Sequence, residues 1–321
     1  MKFAFVFPGQ GSQSLGMMTA YGDSPVIRAT FDEASRALGR DLWQLVAEGP
    51  AEALAQTVNT QPLMLTAGIA VWRLWQEMGA AGAGGVPQPA MLAGHSLGEY
   101  SALVAAGVLE FSEAVPLVEL RAKAMQEAVP AGTGAMAAIL GMDAGTVQSI
   151  CAETEKELAS EGQAVQAVNF NSPEQTVIAG HAAAVQRAAD VCKARGAKRA
   201  VLLPVSAPFH SSLMQPAAEK LKARLATVAV AQPKIPVLNN VDVSCATDPD
   251  AIRSALVRQA AAPVRWVATM RAMQAAGITH VFECGPGKVL AGLVKRCADN
   301  LTGGAMHDRA GVEAALSIVK V

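Results

Sequence analysis

Short apolar runs alternate along the chain with longer segments in which apolar residues recur at helical spacing. The runs at 1–8 and 89–93 have the length of buried strands. Strands that alternate with helices are typical of an α/β protein with a mostly parallel sheet. Glycine and proline punctuate 79–90, which we expect to form a surface loop. Helical spacing predicts helices at 25–38, 62–79, 98–128, 214–228 and 263–276.

The middle of the chain follows a different order of elements. Four segments read as strands, 134–141, 164–171, 175–180 and 198–205, and two as helices, 143–160 with Asp143 as N-cap and 182–195. The order βαββαβ is that of a ferredoxin-like unit. We therefore predict a small domain, 129–205, inserted into a large domain formed by 1–128 and 206–321. A cleft between two such domains is a common place for a ligand site.

Composition narrows the class of protein. Of 321 residues, 51% are hydrophobic and 17% charged, as in a globular chain, and a net charge of −1 argues against nucleic-acid binding. The first apolar run is too short for a signal peptide, and 62–75 is shorter than the ~20 residues that span a bilayer. Five scattered cysteines without Cys-x-x-Cys spacing argue against a disulfide framework or a zinc site. We expect a cytoplasmic monomer.

The candidate nucleophile lies at 94–98, which read Gly-His-Ser-Leu-Gly. This motif can arise by chance in a chain with 28 glycines. Here an apolar strand pattern precedes it and a helical pattern follows it, which is the setting of a nucleophile elbow. Such a turn pushes the serine hydroxyl out of the sheet. The sequence therefore predicts Ser96 as a nucleophile.

A serine nucleophile needs a base, and the chain has five histidines. We expect His95 to pack beside the elbow, His181 to be a surface or capping residue, and His280 and His307 to be structural. His210 differs because it lies where the chain leaves the small domain, C-terminal to the serine, as in other elbow enzymes. His210 is therefore the candidate base.

An acidic partner for that base is hard to find in the sequence. Glu153, Glu155, Glu157 and Glu161 lie along the polar face of a predicted helix, where carboxylates are usually solvated. What the base needs is the correct tautomer and direction. We therefore expect a neutral group, such as a backbone carbonyl, to orient the imidazole.

Five segments spread along the chain have a distinctive sequence. They are Phe-Val-Phe-Pro-Gly-Gln-Gly-Ser-Gln at 5–13, Gly-His-Ser-Leu-Gly-Glu-Tyr-Ser-Ala-Leu at 94–103, Asn-Phe-Asn-Ser-Pro at 169–173, Val-Ser-Ala-Pro-Phe-His-Ser at 205–211 and Glu-Cys-Gly-Pro-Gly-Lys at 283–288. Together they resemble the malonyl-CoA:acyl carrier protein transacylase family. The resemblance covers nearly the whole chain and implies an α/β-hydrolase-like core with a ferredoxin-like insert.

The resemblance assigns a role to each matching position. Ser96 attacks the thioester carbonyl, and His210 takes the serine proton. The backbone carbonyl of Gln259 orients the imidazole. The backbone N–H groups of Gln10 and Leu97 form the oxyanion hole, which agrees with the rule that the residue after an elbow nucleophile supplies one donor.

Three further residues are implied to bind substrate. Arg121 matches the family's arginine for the malonyl carboxylate, whereas the sequence alone favours a solvent-facing arginine beside Glu119 and Lys123. Phe209 is bulky enough to crowd an α-methyl branch, which favours malonyl over methylmalonyl groups. Asn169, in the third matching segment, is the remaining candidate.

The implied activity is ping-pong transfer of a malonyl group from malonyl-CoA to the phosphopantetheine thiol of acyl carrier protein. No metal and no bound cofactor is implied. The alternatives are an acyltransferase of a polyketide pathway with other acyl-CoA selectivity, a serine thioesterase or hydrolase, and a non-catalytic carrier-binding module. The basic residues Lys193, Arg195, Lys198 and Arg199 are either a docking surface for the acidic carrier or a solvated face.

Overall fold

The computed structural model describes residues 1–81, 85–205 and 207–320. The strands in these ranges are β1 Phe3–Phe7, β2 Met91–Gly94, β3 Gly134–Leu140, β4 Val165–Ser172, β5 Gln175–His181, β6 Arg199–Leu202, β7 Val237–Leu238, β8 His280–Glu283 and β9 Thr302–Ala305. The α-helices are α1 Pro25–Leu38, α2 Leu42–Glu48, α3 Ala51–Ala55, α4 Thr57–Ala80, α5 Gly98–Ala105, α6 Phe111–Gln126, α7 Ala144–Glu157, α8 Ala182–Ala194, α9 Gln215–Leu225, α10 Pro249–Ala260, α11 Trp266–Ala275, α12 Val289–Cys297 and α13 Arg309–Val319.

Five strands form a parallel sheet in the order β7-β2-β1-β8-β9. Every residue of the central strand β1 is buried, because helices cover both faces of the sheet. Side chains alternate between the two faces of a strand. Phe3, Phe5 and Phe7 accordingly pack in the core that includes α1, α4 and α6, whereas Ala4 and Val6 pack with α11 and α12.

The middle of the chain forms an antiparallel sheet in the order β4-β5-β3-β6. Ala137 and Ile139 of β3 pack under α7 and α8 on one face. Met136, directly before Ala137, faces the other way and packs with Met125 of α6 and Met214. The predicted α/β class, with a mostly parallel sheet and a βαββαβ insert, is confirmed. The proposed domain limits stay a prediction, and Ser206, at one limit, lies outside the described residues.

Several predicted helices have other limits in the structure. The helix predicted at 62–79 begins earlier, at Thr57, and includes Pro62. Proline lacks the N–H that would bond the carbonyl four residues before it, at Val58. Arg40 Nη2 donates to that carbonyl at 3.3 Å, which removes the penalty for an unpaired group. The loop predicted at 79–90 includes 82–84, which lie outside the described residues.

The helix predicted at 98–128 is two helices, α5 and α6. Gly107 adopts φ +73° between them, a left-handed conformation that ends a helix and that glycine tolerates. The helices predicted at 214–228 and 263–276 correspond to α9 and α11, each shorter than predicted. No helix in the described ranges is long and apolar enough to cross a membrane.

Candidate active site

The elbow connects β2 to α5, and Ser96 lies at its tip with φ +53°. The backbone N–H of Ser96 donates to Asn240 Oδ1 at 2.7 Å, which holds the strained turn. A Cβ on Gly94 would overlap the backbone of Gly98, and a Cβ on Gly98 would overlap Phe7. The two glycines of the motif are therefore required for the strand and the helix to approach each other.

Ser96 and His210 are in hydrogen-bond contact, with 2.7 Å between Oγ and Nε2. The other ring nitrogen of His210, Nδ1, lies 2.9 Å from the backbone oxygen of Gln259. A carbonyl oxygen only accepts, so Nδ1 carries the hydrogen and Nε2 is free to accept the serine proton. Burial, together with the positive charge of Arg121, lowers the pKa of His210 to about 3. The imidazole is therefore neutral at physiological pH, as a general base must be.

Arg121 is buried, with 1% of its surface exposed, so the solvent-facing alternative is wrong. Its Nη2 donates to Ser96 Oγ at 3.2 Å, and its Nη1 to Gln61 Oε1 at 2.8 Å. Glu119, which the sequence placed beside it, instead pairs with Arg40 and Lys123 on the outer face of α6.

No carboxylate among the described residues lies within ion-pair distance of the Arg121 guanidinium. Burial lowers the pKa of the guanidinium, and Tyr100 and Glu99 oppose that shift. Nε is buried without a hydrogen-bond partner in the described part of the chain. A buried guanidinium with unused donors beside a nucleophile is a site for an anionic substrate group.

The backbone N–H groups of the residues on both sides of Leu97 already donate hydrogen bonds. Ser96 N donates to Asn240, Gly98 N to the carbonyl of His95 at 2.9 Å, and Glu99 N to that of Ser96 at 3.1 Å. Leu97 and Gln10 both line the cavity at the serine. The chain segment before Gln10 lies directly against the elbow, since a Cβ on Gly9 would lie 2.6 Å from the carbonyl oxygen of His95.

The cavity beside Ser96 lies between the parallel-sheet part and the antiparallel sheet. Phe209 lines it and is 8% exposed. Asn169 of β4 also lines it, and its Oδ1 is buried without a partner among the described residues. Seven of the eight candidate residues thus line one cavity. The eighth, Gln259, does not line it but contacts His210 through its backbone oxygen.

The other four histidines have contacts of their own. His95 Nε2 lies 2.8 Å from Asn171 Oδ1, and its ring lines the cavity beside the elbow. His181 Nδ1 accepts from the amide of Ala164 at 2.9 Å. His280 contacts the hydroxyl of its neighbour Thr279, and His307 lies 3.4 Å from Asp308. In the described residues, no group of three or more His, Cys, Asp or Glu side chains could hold a metal ion.

Three polar residues of the site were not predicted from the sequence, namely Gln61, Glu99 and Asn240. Glu99 is 2% exposed and accepts hydrogen bonds from Asn240 and Gln259. The available signal was a single carboxylate in the otherwise uncharged segment 94–103. Gln61 and Asn240 come from distant parts of the chain, and no local pattern marks them.

A strained serine, a neutral histidine and backbone donors at the end of a parallel sheet define an enzyme of serine acyl chemistry. Residues 4–311 match the family model described as acyl transferase domain. The chain belongs to this acyl transferase family.

Within the family, the chain is similar to malonyl CoA-acyl carrier protein transacylase of Escherichia coli K12. The two are 55% identical over 318 residues, 99% of each chain. An acyl-carrier-protein S-malonyltransferase structure from Burkholderia pseudomallei is 57% identical, with a TM-score of 0.93 over 99% of this chain and 100% of that chain. A malonyl-transacylase solved in complex with a type II PKS acyl-carrier protein is 51% identical, with a TM-score of 0.94 over 99% and 100%.

Proposed function

We propose that this chain transfers the malonyl group of malonyl-CoA to the phosphopantetheine thiol of acyl carrier protein. The observation that carries the proposal is the position of Arg121. Its buried guanidinium lies 3.2 Å from the nucleophile and has no carboxylate partner in the described residues. Malonyl-CoA and an acyl carrier protein are the substrates named for the similar proteins, and a malonyl group would bring the carboxylate that this guanidinium lacks.

The first half-reaction acylates the serine. His210 Nε2 removes the proton of Ser96 Oγ as the oxygen attacks the thioester carbonyl. The N–H groups of Leu97 and Gln10 stabilise the oxyanion that forms. When the C–S bond breaks, His210 returns the proton to the sulfur, and coenzyme A leaves as a thiol.

The second half-reaction runs the same steps from the other side. The carrier thiol gives its proton to His210 and attacks the malonyl-Ser96 ester. Ser96 leaves with the proton from the imidazole, and the free enzyme is restored. Two similar acyl exchanges thus replace a single transfer between two large substrates.

Arg121 supports transfer of a malonyl group in preference to other acyl groups. A guanidinium offers two parallel donors to a carboxylate and keeps its charge at any working pH. An acetyl group would leave these donors unpaired in a buried site, and such a site can reject the smaller analogue by ~10^4-fold or more. A serine hydrolase shares Ser96 and His210 but has no use for this arginine.

Several finer expectations stay predictions. They are the choice of malonyl over methylmalonyl groups, a monomeric state and a cytoplasmic location. The basic docking surface also stays a prediction. Lys193, Lys198 and Arg199 are exposed, while Arg195 pairs with Glu153 at 2.6 Å.

Intact-protein mass spectrometry tests the proposal. Malonyl-CoA should add one malonyl group to the wild type and none to Ser96→Ala, and added carrier protein should remove the group as malonyl-carrier. Ser211→Ala is the matched control, because Ser211 is buried beside His210 but bonds the carbonyl of Pro208. Release of free malonate without a thiol acceptor, as fast as transfer, would identify a hydrolase instead.

A further inference from the structure

Glu99 is a buried carboxylate three residues after the nucleophile, in the first turn of α5. It does not line the substrate cavity as described. A single oxygen, Oε2, accepts from the backbone N–H of Asn240 at 2.8 Å and from Gln259 Nε2 at 2.9 Å. Burying a carboxylate is costly, so its presence here calls for a reason in the chemistry of the site.

Gln259 connects Glu99 to the reacting groups. Its Nε2 also donates to the carbonyl of Ser96 at 2.9 Å, and its Oε1 accepts from Arg121 Nη2 at 3.0 Å. A carbonyl and an ionised carboxylate only accept, and a guanidinium only donates. The amide of Gln259 therefore has one possible orientation, and Glu99 is one of the three groups that fix it.

Asn240 is the second residue that Glu99 holds. Its Oδ1 accepts from Ser96 N, and its Nδ2 donates to the carbonyl of Gly94 at 2.6 Å. The two partners of Glu99 thus bond both backbone groups of the serine. Asn240 accepts from its N–H, and Gln259 donates to its carbonyl. Gln259 also positions His210 through its backbone oxygen.

Glu99 also balances the charge of Arg121 without blocking it. The two groups attract each other, since Arg121 lowers the pKa of Glu99 and Glu99 raises that of Arg121. Gln259 lies between them, so the carboxylate does not occupy the donors of the guanidinium. A directly paired carboxylate would compete with an anionic substrate for those donors.

We propose that Glu99 is a positioning residue for acyl transfer: through Gln259 and Asn240 its carboxylate holds His210, the Ser96 turn and Arg121 in one reactive arrangement. The proposal rests on the proposed function and adds to it a residue that touches neither substrate nor the reacting atoms. It implies that the ionised form of Glu99 is the active form.

The charged groups around Glu99 make this testable through pH. Burial raises the pKa of Glu99 to about 7, against the lowering effects of Gln259, Asn240 and Arg121, while Asp242 raises it slightly. Arg258 is held by Asp242 at 2.6 Å. Burial raises the pKa of Tyr100 to about 12 and lowers that of His210 to about 3. Burial also lowers the pKa of His95, which therefore stays neutral. Near neutral pH, Glu99 is therefore the group in this set that changes charge.

The experiment measures kcat/KM for malonyl-CoA from about pH 6 to about pH 9 in three proteins. The wild type should lose activity as pH falls through about 7. Glu99→Gln keeps the shape and the accepting oxygen but not the charge, so it should behave at every pH as the wild type does at low pH. We expect its kcat/KM to be ~10- to 100-fold below wild type at high pH, without a dependence on pH.

Glu283→Gln is the matched control. Glu283 is also buried, its pKa is also raised by burial to about 7, and it accepts from Ala291 N at 2.8 Å at the start of α12. No hydrogen bond in the described structure joins it to Gln259 or Asn240. This variant should keep the wild-type pH profile.

Gln259→Leu tests the same connection from the other end, because it keeps the backbone carbonyl at His210 and removes the side-chain amide. In that background Glu99→Gln should lower kcat/KM by a smaller factor than it does in the wild type, because only the route through Asn240 remains. Independent, multiplying losses would overturn the route through Gln259, as would a Glu99→Gln profile equal to wild type. Failure of the wild type to form malonyl-Ser96 would instead reject the proposed function itself.

Discussion

The two walls of the cavity differ in what they offer a substrate. The polar wall, formed by Gln61, Ser96 and Arg121, comes from the parallel-sheet part of the chain. The apolar wall, formed by Met136, Leu203, Val205 and Phe209, comes from the antiparallel sheet and the segment that follows it. In the polar wall, Ser96 N and Oγ and the terminal nitrogens of Arg121 are hydrogen-bonded, whereas Arg121 Nε has no partner in the described residues. Ser96 is held with positive φ.

The difference suggests a division of labour. Hydrogen bonds and charges at fixed positions control rate by orders of magnitude, because they act on charge that develops in the transition state. Apolar contacts discriminate shape, and one methylene is worth only about 1–3 kcal/mol. Substitutions on the polar wall should therefore abolish or redirect the reaction, whereas those on the apolar wall should change which acyl group is accepted.

The largest effect is expected at the base. His210→Ala removes the acceptor of the serine proton and should lower the single-turnover rate of Ser96 acylation by ~10^4-fold or more. Rapid-quench mass spectrometry measures this rate. His181→Ala is the control, since His181 bonds a backbone amide away from the cavity. A loss below about 10-fold in His210→Ala would mean that another group takes the proton.

Arg121→Met should redirect the enzyme. Methionine keeps the length and the apolar stem but removes the donors, so kcat/KM for malonyl-CoA should fall by ~1000-fold or more while that for acetyl-CoA changes little. Steady-state kinetics with both thioesters checks this. Arg73→Met is the control, because Arg73 is only partly buried and pairs with Glu33. Equal losses for both thioesters would assign Arg121 a structural role only.

A smaller effect is expected on the apolar wall. Phe209→Leu opens space beside the acyl group and should raise the rate with methylmalonyl-CoA relative to malonyl-CoA by about 10-fold, within the range of apolar crowding. Competition between the two thioesters, read by mass spectrometry of the acylated protein, gives this ratio directly. An unchanged ratio, with both rates reduced, would place the discrimination elsewhere.

The smallest effect concerns stability. Because burial raises the pKa of Glu99 from 4.5 to about 7, the folded protein holds this proton more tightly than the unfolded chain. The wild type therefore loses stability as pH rises from about 4.5 through about 7. Glu99→Gln lacks this loss, so its unfolding free energy should gain on the wild type by up to ~1.4 kcal/mol per pH unit in that window. Denaturant titrations at several pH values measure the difference, and a parallel pair of curves would contradict it.

The sequence predicted those helices, strands and turns whose formation depends on residues close together in the chain. The helix at 25–38 and the order of the insert follow from periodicity, and Ser96 follows from its glycines. β9 was not predicted, because its sequence Thr-Gly-Gly-Ala has no strand signal. Tertiary contacts explain why glycine is needed there, since a Cβ on Gly304 would lie 2.7 Å from the ring of Phe282.

The site shows the same limit. The eight candidate residues could be named from motifs and the family resemblance, but their hydrogen bonds join segments up to 163 residues apart, as between Gln259 and the carbonyl of Ser96. The burial of Arg121 had a signal that went unused. Leu117, Arg121 and Met125 recur at spacing four on the buried face of α6. Helical spacing, more than neighbouring charges, shows which face an arginine occupies.

The structure of the malonyl-Ser96 enzyme tests the central claim most directly. A crystal structure after exposure to malonyl-CoA should show the ester on Ser96 Oγ. The carbonyl oxygen of the ester should lie at the backbone N–H groups of Leu97 and Gln10. The malonyl carboxylate should make two hydrogen bonds with Arg121. The methylene should rest against Phe209. An ester on Ser96 whose carboxylate points to solvent, with Arg121 still bound only to Gln61 and Gln259, would contradict the account.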